Sequence, residues 1–150
     1  ESYQQLTEAL GTNANDWAVK FFDDCIIALQ KTEDGTGFDV FRIAYEDGSS
    51  KHLGTVTGET VNILNMDGDT LYLEPLMDEY AQGIVALNIT TGESKTVAEE
   101  APLLRGADVQ VWNGVCYSAY RELDVMEFGT YDLETGVEST YRADDSTVSE

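Results

Sequence analysis

At 150 residues the chain has the length of one domain, enough to bury roughly 70% of the surface its unfolded form exposes. Hydrophobic residues make up 42% and aromatics 10%, with eight Tyr, 13 Gly and only two Pro, which describes a folded, strand-rich protein and excludes a disordered tail. Twenty-nine acidic against eight basic side chains leave a formal charge of −21, which repels phosphate backbones and anionic lipid and sets aside nucleic acid and membrane surfaces as partners.

The first residues differ from all that follow. Ser2 and Gln5 have the spacing of a capping box, Tyr3, Leu6 and Leu10 fall on one helical face, and Gly11 suits a C-terminal stop. The pattern predicts a helix over residues 3–10 within an N-terminal segment of residues 1–15. Residue 1 is Glu and not Met, which fits a mature or excised piece of something longer. No run approaches the roughly 20 apolar residues of a membrane span, so no membrane insertion is expected.

From residue 16 the helical period gives way to strand signals, and a single repeat domain is expected over residues 16–150. One four-stranded meander is written three times, over about residues 17–56, 60–98 and 108–142. Gly48, Gly92 and Gly136 stand 44 residues apart in the third turn; Ile27, Tyr72 and Tyr117 stand 45 apart in the second strand. Two independent markers keep one period.

Within each unit a first strand (residues 18–22, 61–65 and 109–112) ends at Asp23-Asp24, Asp67-Gly68-Asp69 or Asn113-Gly114, residues that supply the positive φ of hairpin turns. A second strand follows at IIAL, LYLE or CYSAY. After a loop of variable length the third is read at FRIAY, VALNI or TYDLE, and a second Gly turn leads to a polar fourth strand at SKHLGT, SKTVA or ESTYR. The second strands are nearly continuous in apolar character, so they need cover on both faces, which sheets stacked like blades provide. The fold class is therefore all-β: three four-stranded antiparallel meander repeats preceded by a short helix.

The order strand, Asp-Gly-Asp, Leu-Tyr-Leu, loop, strand, Thr-Gly-Glu, strand, seen in full from Asp67 to Val97, resembles the blades of bacterial β-propeller repeat proteins. The similar groups are the quinoprotein-like and YVTN-like repeats and the domains of unknown function in secreted proteins or lipoproteins. The first copy departs from them in carrying Asp23-Asp24 where Gly is expected. The resemblance implies an extracellular or cell-surface bacterial setting. Propellers have 4 to 8 blades and three are counted here, so the chain is expected to self-associate as a homo-oligomer, to be a fragment of a larger propeller, or to close unusually tightly, with self-assembly and fragment favoured.

Candidate chemistry is sparse. His52, the sole histidine, falls on an outer strand and is read as a surface residue. Asn65, Asp67 and Asp69 have the alternate spacing of a calcium loop, but Thr70 stands where such a loop needs Gly and Leu76 where it needs Glu, so they are read as turn residues. No catalytic residue, cofactor or metal site is assigned. Cys25 and Cys116 are read as buried thiols, and Trp17 and Trp112 as packing between blades.

Variable loops on a fixed scaffold are where binding resides. In a meander the second-to-third-strand loops and the blade connections share one end, and they gather Glu33, Asp34, Met77, Asp78, Glu79, Tyr80, Arg105, Tyr120, Arg121 and Glu122. Met77, Asp78, Tyr80, Arg105, Tyr120 and Arg121 are the binding candidates, since Arg with Tyr is the usual composition of hot spots. The expected function is a non-catalytic module binding a protein or carbohydrate ligand. The alternatives are part of a propeller enzyme acting on carbohydrate and a structural scaffold that completes a larger propeller.

Overall fold

A computed structural model of the chain describes residues 17–78, 80–98, 108–122 and 125–144; the helix expected over residues 3–10 lies outside them. Each strand pairs antiparallel with its neighbour in sequence. The first sheet takes β1 (Trp17–Phe21), β2 (Cys25–Lys31), β3 (Gly37–Ala44) and β4 (Ser50–Thr57) in that order. The second takes β5 (Thr60–Asp67), β6 (Thr70–Met77), β8 (Ile84–Asn88) and β9 (Ser94–Ala98), while the two-residue β7 (Tyr80–Ala81) folds back on the end of β6. The third takes β10 (Asp108–Trp112), β11 (Val115–Glu122), β12 (Val125–Asp132) and β13 (Glu138–Asp144). The described fold is all-β, three four-stranded meanders, an arrangement compatible with propeller-like blades.

The turns show why the repeat has its period. Gly48, Gly92 and Gly136 all have positive φ, between 70° and 81°, and each donates its N–H to the carbonyl four residues back, at Ala44, Asn88 and Asp132. An L side chain strains there, which is why glycine recurs. Asn88 Oδ1 and Asp132 Oδ1 each accept the next two turn amides, at 2.8 and 2.9 Å for Asn88 and 2.9 Å twice for Asp132. Asn113-Gly114 has positive φ at both central positions, the I′ hairpin; Gly68 has it at the first of two, as II′ requires.

Register defines two faces for every sheet. Ile27 pairs with Lys20, Tyr72 with Asn65 and Tyr117 with Gln110, so these three pairs are equivalent. They lie on the face turned toward the following sheet, here called leading; the opposite, trailing face carries Ile26, Leu71 and Cys116. Cys25, Ile27, Leu29 and Val40 of the first sheet pack on Leu71, Leu73 and Leu87 of the second. Tyr72, Ile84, Ala86 and Ala98 of the second pack in turn on Val109, Val111 and Cys116 of the third. Because β2 and β6 are covered on both sides, five successive residues of each are buried, as their continuous apolar character predicts.

Burying one aliphatic side chain contributes about 1.5–3 kcal/mol, whereas an exposed ion pair such as Arg142–Glu127, at 3.7 Å, contributes about 1 kcal/mol at most. Apolar contact therefore holds the sheets together, and polar links set their registration. Lys20 Nζ donates to the Leu64 carbonyl at 3.2 Å, from first sheet to second. Asn65, in the equivalent position, grips the third sheet twice: its Nδ2 donates to the Val111 carbonyl at 2.7 Å and its Oδ1 accepts the Val111 N–H at 2.9 Å. Asp67 Oδ2 accepts the Asn113 N–H at 2.8 Å.

Two expectations need correction. The third strand of the last unit is β12, which begins five residues before TYDLE and shares Thr130, Tyr131 and Asp132 with it; Leu133 and Glu134 belong to the turn. Trp112 does not pack between sheets. It is 44% exposed, on the leading face of the third sheet. Of Trp17 only the backbone is described. Cys25 and Cys116 are buried free thiols in different clusters, as expected.

Candidate interaction surface

The described residues at the end of the molecule expected to bind form tight turns. Asp34 Oδ1 accepts from Thr32 Oγ1 at 2.7 Å, the Thr36 N–H at 3.1 Å and Thr36 Oγ1 at 2.8 Å, and these bonds, Thr32 first, hold its carboxyl below the ordinary value. The residues around Met77 and Asp78 form a hairpin, not an open loop: Met77 pairs with Tyr80 and Leu76 with Ala81. Asp78 adopts φ of 52° and donates its N–H to Glu59 Oε2 at 3.3 Å. Glu59 in turn donates its N–H to the Leu76 carbonyl at 2.9 Å, which ties the link between the first two sheets to this hairpin.

Five of the six candidate residues have a described backbone position. Met77 lines a groove of about 470 Å³ between the first and second sheets, with Thr55, Pro75 and Lys95 among its walls. Tyr120 and Arg121 lie within β11, paired with Glu127 and Met126. Asp78 belongs to the hairpin turn, Tyr80 to β7, and Arg105 lies outside the described residues.

A larger groove of about 960 Å³ opens between the second and third sheets. Its walls mix apolar side chains (Tyr72, Val97, Leu133) with Glu93, Lys95 and Glu134. The Tyr72 hydroxyl is pushed above its ordinary pKa, first by burial and then by Asp67, so it stays a neutral donor. Behind the groove Glu74 is buried and accepts from Asn62 Nδ2 at 3.1 Å. Burial, with Glu74 nearby, raises the Cys116 thiol to about 11 and so suppresses thiolate chemistry.

His52 is half exposed and its Nε2 lies 3.0 Å from Asp39 Oδ1, an acceptor shared with Thr55 Oγ1 at 2.7 Å. Among the described residues no group of three or more His, Cys, Asp or Glu could hold a metal ion, and none is assigned.

The feature that stands out is the leading face of the third sheet. Where the first and second sheets bury Ile27 and Tyr72 against the next sheet, the third presents Tyr117, 46% exposed. Where the first buries Val40, paired with Leu29, the third presents Phe128, 41% exposed and paired with Ala119. Trp112 and Tyr141 extend the patch, and the charged side chains described on this face are Asp108 and Asp132, near opposite ends. A chain of charge −21 thus keeps one aromatic, nearly neutral sheet face. In sequence Tyr117 reads as one more core position, at the register of the buried Ile27 and Tyr72.

No family model matches the chain, and no curated protein is found to be similar to it.

Proposed function

We propose that this chain is a non-catalytic interaction module built on consecutive β-propeller-type blades, and that it belongs to a secreted or surface-attached bacterial protein. The 44-residue spacing of Gly48, Gly92 and Gly136 and the regular leading-to-trailing packing support the propeller reading. One observation carries the interaction reading: the leading face of the third sheet keeps the apolar register of the two buried faces beside it while remaining exposed. Aromatic patches of this kind mark contact surfaces, since Trp and Tyr dominate hot spots.

The test is to place charge on that face, as Tyr117→Lys with Phe128→Glu. If the face serves a partner, the variant folds as the parent does, and its unfolding free energy, read at a dilution where both are monomeric, stays within about 0.5 kcal/mol of the parent's, because exposed substitutions cost little. A loss of several kcal/mol shows instead that the face belongs to the chain's own core, and the reading fails.

A further inference from the structure

Resting on that reading, we infer that the leading face of the third sheet is the two-fold interface of a homodimer. The first consideration is which occupant is compatible with the molecule. The centre of the first sheet's trailing face is buried, with Ile26 at 2% exposure and Ala28 and Ile43 at 0%, while Phe21, paired with Ile26, stands 65% exposed at its margin. A second copy therefore offers on its trailing face a covered centre and one marginal aromatic, a poor match for four exposed aromatics, which disfavours the open-ended, head-to-tail stack that repeat geometry suggests. What a second copy does offer is the same leading face. Its near neutrality lets two chains of charge −21 approach there, with the repulsion of their remaining surfaces screened over about 8 Å at physiological salt.

The second consideration is shape. On β11 and β12 large and small side chains alternate as on a checkerboard: Tyr117 pairs with Thr130, and Ala119 with Phe128. A two-fold axis between these strands and along them brings Tyr117 over Thr130 of the second copy and Phe128 over its Ala119, so large meets small at all four positions. The same operation brings β10 over β13 of the second copy. Asp108 then faces the hydroxyl of Tyr141, an acceptor against a donor, while Gln110, whose Nε2 donates to the Leu64 carbonyl at 3.4 Å, stays engaged with the second sheet. Sheets packed face to face lie about 10 Å apart at a shallow angle, which preserves this matching over the central strands. At 41–64% exposure the four aromatics supply roughly 400 Å² from each copy, about half of what a standard interface takes from each partner; the rest of the face supplies the remainder.

The test is sedimentation equilibrium of the full chain over a range of concentration, with Trp112 emission followed in parallel. The parent should pass from 16.5 kDa to twice that mass, with Trp112 becoming less accessible to quencher. Tyr117→Thr alone and Thr130→Tyr alone place small on small or large on large, and each should weaken the dimer about tenfold or more. The two together again set large over small across the axis, and should return the affinity to within a few-fold of the parent's. A parent that stays monomeric, or a dimer indifferent to these substitutions, overturns the inference. If the charge variants of the preceding section still fold, the interaction reading survives that result; if they unfold, both fail.

Discussion

Asn65 is the residue on which the seating of the third sheet most depends, and Asn65→Leu isolates its contribution. The substitution keeps the branched shape and the number of side-chain heavy atoms while removing both the donor to the Val111 carbonyl and the acceptor of its N–H. Val111 is fully buried, so water cannot replace either bond. Leaving a buried backbone group unpaired costs about 1–3 kcal/mol, hence about 2–6 kcal/mol for two. The leucine returns about 1 kcal/mol in apolar contact, so the net penalty is about 3 kcal/mol. This should fall on one seam. Cys116 sits between the second and third sheets and Cys25 between the first and second, so each thiol reports on its own seam. Thiol labelling under native conditions, with each cysteine followed by mass spectrometry, should show Cys116 reacting about 100-fold faster than in the parent. Cys25 should change far less. Equal acceleration of both thiols, or of neither, would refute the reasoning, because the seams would then open together or the clamp would not hold one.

Other consequences can be checked independently. Gly68→Ala meets no atom within 4 Å and should cost only the left-handed penalty of about 1–2 kcal/mol; Gly92→Ala adds a contact of 3.0 Å with the Leu53 carbonyl and should cost more, both read from urea midpoints. The Cys116 thiol is raised in the folded chain to about 11 from 9.0, so the unfolded chain loses its proton first. Stability should accordingly fall as pH rises from 9.0 toward about 11, and Cys116→Ala should flatten that slope in urea titrations. Asp34, Asp47 and Asp132 are held below 3.8, Asp34 by its bonds from Thr32 and Thr36, Asp47 by Ser49 and Asp132 by the Thr135 and Glu134 amides. Carbon-detected NMR titration should place all three midpoints below 3.8. Their contribution to turn stability is present above the unfolded value and is lost as pH falls through the folded one.

The repeat was legible because glycine at positive φ has no substitute: Gly48, Gly92 and Gly136 mark one turn three times. The continuous apolar strands β2 and β6 were legible for the same sort of reason, since two covered faces leave no place for alternation. The β6–β7 hairpin was not, because Asp78 takes positive φ without the glycine that announces it. β12 was misplaced because Gly129 and Glu127 interrupt its apolar run. The clamp escaped notice for a subtler cause. Asn65 and Asp67 have the composition of a turn, but an irregularity between Ile63 and Asn65 shifts the register of β5, and the two side chains reach the third sheet. A contact 46 residues distant leaves no local trace. Of the candidate site, the loop end could be located from sequence. The aromatic face could not, because Tyr117 reads as core until one sees that no sheet follows it among the described residues.

That every described strand is bonded to a neighbour in sequence, with none of them exchanged between sheets, bears on how such a molecule forms. Each sheet closes through short hairpins, so its internal pairing requires little loop-closure entropy and should precede the docking of one sheet on another. The same independence leaves the hydrogen-bond ladder untouched when a whole unit of about 44 residues is gained or lost, so the length of such an array can change by duplication without any strand having to find a new mate.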